Sequence, residues 1–251
     1  MIVSLIFVGL ATGFVSGFFG IGGGTLLIPA LLYLGLDMRQ AVGISVTQMM
    51  FSSIFGSYLN FKKEIFEAAR GLALGMGGFF GALCSGFIVS VLDEKVLMIM
   101  FLFFVLFALF RFYSSPLVQT EERVEVGKIW LFLIGFFVGA VAISVGIGGA
   151  LLVTPVLVGF FRYDIRRAVA KSLFFVVFSS VAGFLSLSYF GHINYFYGLI
   201  VGISSLAGVY FGIKIAHKID AKRFKKLLGL MYAIILLLIL NKLYGFWEIN
   251  G

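Results

Sequence analysis

Two glycine-rich runs are the residues of this chain best suited to chemistry, and the chemistry they suit is the binding of an anion. Gly20-Ile-Gly-Gly-Gly-Thr-Leu-Leu-Ile-Pro29 and Gly146-Ile-Gly-Gly-Ala-Leu-Leu-Val-Thr-Pro155 align at their first four positions and again at their prolines. Three near-adjacent glycines exceed what close packing needs, and they open backbone conformations closed to other residues. Such a break leaves N–H groups unpaired. The helix that follows points its positive end, worth roughly half a charge, at whatever lies there. The candidate ligands are Gly22, Gly23, Gly24 and Thr25 in the first run and Gly148, Gly149 and Ala150 in the second. Thr25 is placed as an N-cap or a hydroxyl donor. Two such breaks facing one another would cradle an anion without any charged side chain.

Further polar groups follow downstream. Ser45, Gln48 and Ser52 recur at i, i+3 and i+7 and so share one face of a helix. The matching positions of the second half are Ser172, Phe175 and Ser179, with Ser186 beyond them, so Gln48 has no polar counterpart. Membrane-buried hydroxyls also bond back to their own helix, a structural role that fits each serine alone. Lys171 is the one charge expected beyond a helix end; it either supplies positive charge to an anion or snorkels to the interface. No Asp or Glu is expected inside a hydrophobic segment, so a carboxylate proton relay is not visible.

Other chemistries fit poorly. Gly-Phe-Val-Ser-Gly around Ser16 is not a nucleophile elbow, and His192 and His217 fall at opposite expected faces. No Cys/His spacing suits a metal. The Gly20–Gly24 run lacks the Lys-Ser/Thr of a phosphate loop. No cofactor is called for, and the basic run Lys218–Lys226 suits cytoplasmic orientation and lipid headgroups better than nucleic acid.

The elements that must hold these residues are membrane helices. Hydrophobic residues make up 61% of the 251 and charged residues 12%, about half the charge of a soluble domain. Mean hydropathy is +1.13. Long apolar runs such as Val96–Phe110 and Leu227–Leu240 satisfy the backbone within lipid only as helices. Barrel strands would alternate instead. The first segment lacks a basic leader and a small-residue cleavage site, so it reads as a retained helix. Cys84 has no partner for a disulfide and reads as a small buried hydrophobe.

The glycine runs belong to a longer internal repeat. One residue further out of register, Arg39, Ala41, Val42 and Ser45 meet Arg166, Ala168, Val169 and Ser172. Ser52-Ser53 meets Ser179-Ser180, and Gly71, Gly75 and Gly81 meet Gly198, Gly202 and Gly208. The halves are 1–113 and 129–251, with a polar linker, 114–128, between them. Each holds five hydrophobic segments: 2–19, 25–36, 41–61, 68–92 and 96–113, then 129–145, 151–161, 167–190, 195–216 and 224–245. Segment 25–36 makes about 18 Å of helix, too short to cross, and 151–161 is short in the same place. Both are therefore expected to be broken or re-entrant. If the first two segments of each half contribute an even number of crossings, most of the nineteen Lys and Arg collect on one side. Only Arg39, Lys95 and Lys242 then lie on the other. The positive-inside rule favours that arrangement. It makes the repeats inverted, with the N-terminus outside and the linker cytoplasmic. Short Gly/Pro-interrupted segments at matching places in inverted halves mark a midplane site in transporters.

The run Gly13–Leu32 (GFVSGFFGIGGGTLLIPALL), the following Gln40-Ala-Val-Gly-Ile-Ser45 and the degenerate second copy resemble the sulfite exporter TauE/SafE family, also described as a toluene-sulfonate uptake permease family. The likeness runs essentially end to end. It implies a multi-pass protein of the cell membrane that moves small sulfur-containing anions: sulfite, sulfonates such as sulfoacetate, or related oxyanions. Ala150 departs from the first copy's Gly24, and Ser144-Val145 from Phe18-Phe19, so the two sides of any site are chemically unequal. The expectation is a secondary transporter working by alternating access, with lipid around it and self-association into a homo-oligomer allowed. The alternatives are a passive anion channel and a membrane assembly protein that transports nothing.

Overall fold

Apolar runs punctuated by Gly, Pro and charge build a bundle made of helices alone. The computed structural model describes residues 1–20, 22–61, 68–113, 127–159, 161, 165–216 and 218–250. Among these residues there are eleven helices and no strand: α1 (Ile2–Phe19), α2 (Gly24–Tyr33), α3 (Met38–Phe61), α4 (Ala68–Ala82), α5 (Ser85–Val91), α6 (Glu94–Tyr113), α7 (Lys128–Ser144), α8 (Ala150–Gly159), α9 (Ile165–Tyr189), α10 (Tyr195–Ala216) and α11 (Ala221–Asn250). The linker, apart from Gly127 and Lys128, lies outside the described residues. Four stretches are long and apolar enough to cross a membrane: Ile2–Phe19, Gly71–Val91, Lys171–Tyr189 and Tyr195–Ala216. Large apolar side chains such as Phe7, Phe103, Phe137 and Leu237 point outward, as a lipid-facing surface requires. The short segments are helices of 10 residues each, α2 and α8, about 15 Å long.

The halves interlock. The first helix of each packs on the fourth segment of the other, α1 on α10 and α7 on α4. Glycines bring these backbones together. A Cβ on Gly13 would collide with the Ser205 carbonyl, one on Gly17 with that of Val209, one on Gly77 with that of Phe132 and one on Gly81 with that of Phe136. Both pairs run parallel, since contacts advance in the same direction along each helix. Between them α3 and α9 cross in opposite directions. A Cβ built on Gly56 lies 2.9 Å from Leu173, one on Gly183 lies 3.3 Å from Val46, and the Ser53 and Ser180 hydroxyls sit 3.4 Å apart between these contacts. Ser53 and Ser180 are residues that align with one another in the two runs of the sequence, so matching positions meet at this crossing. Every residue from Ala41 to Met49 is buried, which places α3 at the centre.

Two local features depart from the sequence expectation. Segment 68–92 is not one helix; it breaks between α4 and α5. Ser186 of α9 causes the break by inserting into the hydrogen-bond ladder, donating to the Leu83 carbonyl at 2.6 Å and accepting from the Gly86 N–H at 2.9 Å. A side chain lodged in the ladder is a recognised cause of kinks. Ser186 therefore braces a helix of the other half rather than extending the polar face of its own. Cys84, expected to be buried, lies exposed at this break. At the start of α3, Asp37 caps the helix by accepting from the Gln40 N–H at 2.8 Å, and Glu94 of α6 accepts from the Met38 N–H at 2.8 Å. One carboxylate thus serves the positive ends of two helices, its own α6 and α3.

Candidate functional site

The first break forms where α1 stops. Gly20 adopts φ +68° and its N–H bonds back to the Ser16 carbonyl at 2.8 Å, ending the helix. Gly22 and Gly23 follow at φ +84° and +74°. Each of these conformations costs a residue with a Cβ about 1–2 kcal/mol, so glycine is required by geometry. At Gly23 and Gly24 it is required by space as well. A Cβ on Gly23 would lie 2.9 Å from the Gln48 amide, and one on Gly24 would strike the Gly146 carbonyl. Gly23 is the N-cap of α2, and no side chain caps this terminus. Thr25 is consequently not the cap expected of it, because the left-handed Gly23 starts the helix two residues earlier. Its hydroxyl sits inside the first turn.

The second break repeats the pattern with differences. Gly146 and Gly148 take φ +68° and +70°, while Gly149 stays at ordinary φ and Ala150 begins α8. The breaks meet. A Cβ built on Gly22 would lie 3.6 Å from the Gly148 carbonyl oxygen, and the Ser45 hydroxyl donates to the Gly146 carbonyl at 2.8 Å. Gly22, Gly23, Gly24, Thr25, Gly148, Gly149 and Ala150 are all buried.

Three polar atoms here have no partner. Gln48 is fully buried, yet neither its Nε2 nor its Oε1 makes a hydrogen bond, and the Thr25 Oγ1 is equally buried and unpaired. Each such group costs about 1–3 kcal/mol, and most buried polar groups in folded proteins avoid that cost. Around the second break the corresponding volume is apolar: Phe175 covers Gly149, and the Met49 thioether packs on Gly148 and approaches the Gly22 Cβ position at 3.4 Å. In this conformation both breaks are closed over by side chains. The polar residues fully buried in the described structure are Ser, Thr and a single Gln, so the interior they line is neutral.

The other expected ligands have partners elsewhere. Ser52 accepts from the Ser16 hydroxyl at 3.3 Å and donates to the Met49 carbonyl at 3.3 Å. Ser172 accepts from Thr154 Oγ1 at 2.8 Å. Lys171 is half-buried at the start of the apolar stretch of α9 and is not among the atoms nearest the breaks. Two residues not legible as part of the site in the sequence also adjoin the breaks, Met49 and Thr12, the latter with its carbonyl oxygen 2.9 Å from the Gly23 Cβ position. Met49 follows Ser45 by one helical turn and so shares the face of Ser45 and Gln48, but an apolar side chain at that register carries no polar signal of its own. Among the described residues, no group of three or more His, Cys, Asp or Glu could hold a metal.

A second polar cluster lies at the N-terminal end of α3, among loops from both halves. The Ser90 hydroxyl and His192 Nε2 share a hydrogen bond at 2.8 Å, and the Arg39 Nη2 donates to the Leu92 carbonyl at 3.1 Å. Burial and then the nearby Arg39 charge hold the His192 pKa below its ordinary 6.5, with Asp37 partly opposing them.

The chain resembles known membrane transporter proteins along nearly its whole length. The family model described as sulfite exporter TauE/SafE matches residues 5–239. The chain is 24% identical to probable membrane transporter protein YunE of Bacillus subtilis, covering 94% of this chain and 95% of that one. It is 28% identical to a probable membrane transporter protein of Methanocaldococcus jannaschii, covering 93% and 94%. A third, YdhB of Bacillus subtilis, is 25% identical over 94% of this chain and 99% of its own. No solved structure matches the chain.

Proposed function

We propose, from the premise that this chain belongs to the sulfite exporter TauE/SafE family of membrane transporters, that it carries a small sulfur-containing oxyanion by alternating access around the paired glycine breaks. The observation that carries this reading is the unpartnered Gln48 amide and Thr25 hydroxyl beside the uncapped start of α2. A buried polar group without a partner calls for an explanation, and a bound ion that completes it is one. An anion suits this place, because helix N–H groups, an amide N–H and a hydroxyl all donate to its oxygens.

The closed breaks then correspond to an occluded conformation. The opposed run of α3 and α9 supports inverted repeats, for which the twofold exchange of the halves turns an outward-open state into an inward-open one. The glycine-locked pairs α1/α10 and α4/α7 are the natural rigid units. Each ties one half to the other, and relative motion falls on the α3/α9 crossing. A cytoplasmic basic face, with the N-terminus outside, follows from the same charge asymmetry that sets membrane orientation.

Purified protein in proteoliposomes tests the substrate class by uptake of sulfite, sulfoacetate, thiosulfate and sulfate measured side by side. Saturable uptake of at least one of the first three is expected. Absence of flux for all four would overturn the assignment.

A further inference from the structure

We infer that the first glycine break selects an oxyanion that still carries one O–H, a protonated monoanion, over an equally sized anion with acceptor oxygens only. This rests on the reading that an anion binds at Gln48, and it adds the hydrogen-bonding form in which the anion is taken. The Gln48 amide lies across Gly23, with Nε2 and Oε1 each 2.9 Å from the Cβ position of that glycine. Both atoms are buried and unpartnered. Most groups at the break donate: the first N–H groups of α2, Nε2, and the Thr25 hydroxyl, which can rotate to do either. Oε1 is different, because a carboxamide oxygen only accepts. An anion bearing acceptors alone would satisfy the donors while leaving Oε1 orphaned or facing another lone pair. An O–H on the anion donates to Oε1 and completes the set. Exchanging Nε2 and Oε1 leaves this inventory unchanged, since the two atoms are equally placed.

The second break has no such requirement. Phe175 stands at the position equivalent to Gln48 and covers Gly149, so discrimination belongs to the first half. The elements packed around α3 bring little that titrates. Helices α1 and α2 carry no charged side chain. The remaining neighbours also carry Arg111 of α6, Arg166 and Arg167 of α9, and the tyrosines Tyr189, Tyr195, Tyr197 and Tyr210 of α9 and α10. Their charged groups with described side chains are Glu94 and Lys95 of α6, Lys128 of α7, Lys171 of α9 and Lys214 of α10, with Asp37, Arg39 and His192 at the loop end. None of these is among the atoms at the break.

Methylphosphonate and methanesulfonate provide the test. In mildly acid buffer they match in shape and charge, and only the phosphonate carries an O–H. Each is used to displace radiolabelled sulfite from the purified wild-type protein. Methylphosphonate should compete about tenfold or more better than methanesulfonate. Alkaline buffer takes the proton from the phosphonate and from hydrogen sulfite alike, so sulfite itself should bind there at least about tenfold more weakly than in mild acid, and undiminished binding would overturn the inference. Methanesulfonate itself serves as the control for titration of the protein. In Gln48→Met the two competitors should become equal in mild acid. Equal potency on the wild-type protein, including no competition from either, overturns the inference while leaving anion binding intact. No sulfite binding in mild acid removes the site itself, and with it this inference.

Discussion

Replacing Gln48 by Leu is expected to move stability and binding in opposite directions. The ligand-free protein loses two buried orphan atoms, so its melting temperature in detergent should rise, by the equivalent of about 1–3 kcal/mol. Sulfite should then stabilise the variant less than it stabilises the wild type, because the groups it would complete are gone. A variant that melts lower and keeps its full sulfite response would assign Gln48 to the core. His192 makes a separate prediction in pH. Its folded pKa lies below 6.5, so the unfolded chain takes up the proton first as pH falls. Stability should be full above that ordinary value and decline as pH drops through it, and His192→Asn should remove that part of the decline. The sequence made Gln48 visible through its spacing from Ser45 and Ser52. It did not show that Ser52 and Ser172 have other partners, since a serine at a given register bonds to whichever acceptor packing supplies. Nor did it separate Lys171 from the breaks, because a lysine near a helix end reaches several ångströms either way.

At the scale of elements, the fold depends on backbones that touch. Gly13→Val on α1 would drive a side chain into the α10 backbone at Ser205. It should cost several kcal/mol or abolish folding. Gly35→Ala is the control: nothing lies within 4 Å and only its φ of +88° opposes a Cβ, so about 1–2 kcal/mol is expected. Melting temperatures of the two variants should fall in that order. These contacts explain why the repeat is so legible. Glycine spacing at one-turn intervals announces helix pairing, and both copies keep it. The division of segment 68–92 was not legible, because its cause, Ser186, lies in the other half and reaches the Leu83–Gly86 ladder only through the fold. A hydropathy run records length and polarity, whereas this kink is set by a side chain from elsewhere.

For the molecule as a whole, the pairs α1/α10 and α4/α7 interlock the chain, and the orientation proposed from charge is open to a direct test. In a Cys84→Ser background, a cysteine placed at the exposed Asp93 should react with a membrane-impermeant thiol reagent in intact cells. One at the exposed Lys218 should react only after permeabilisation. Labelling of both from outside would contradict the inverted arrangement. Membrane embedding and the helical class were readable from composition and from the length of the apolar runs. The intimacy of the two breaks was only an expectation from sequence, since it takes folded geometry to bring Gly24 against Gly146 and Ser45 onto the Gly146 carbonyl. In the proposed transport cycle an oxyanion passes through the first of these breaks. The most direct test of that passage is uptake of radiolabelled sulfite by proteoliposomes holding equal amounts of wild type, Gln48→Leu, or Gln40→Leu, the last altering an exposed glutamine of the same helix. Uptake at least about tenfold lower in Gln48→Leu, with Gln40→Leu matching the wild type, is the predicted result; equal uptake by all three would contradict it.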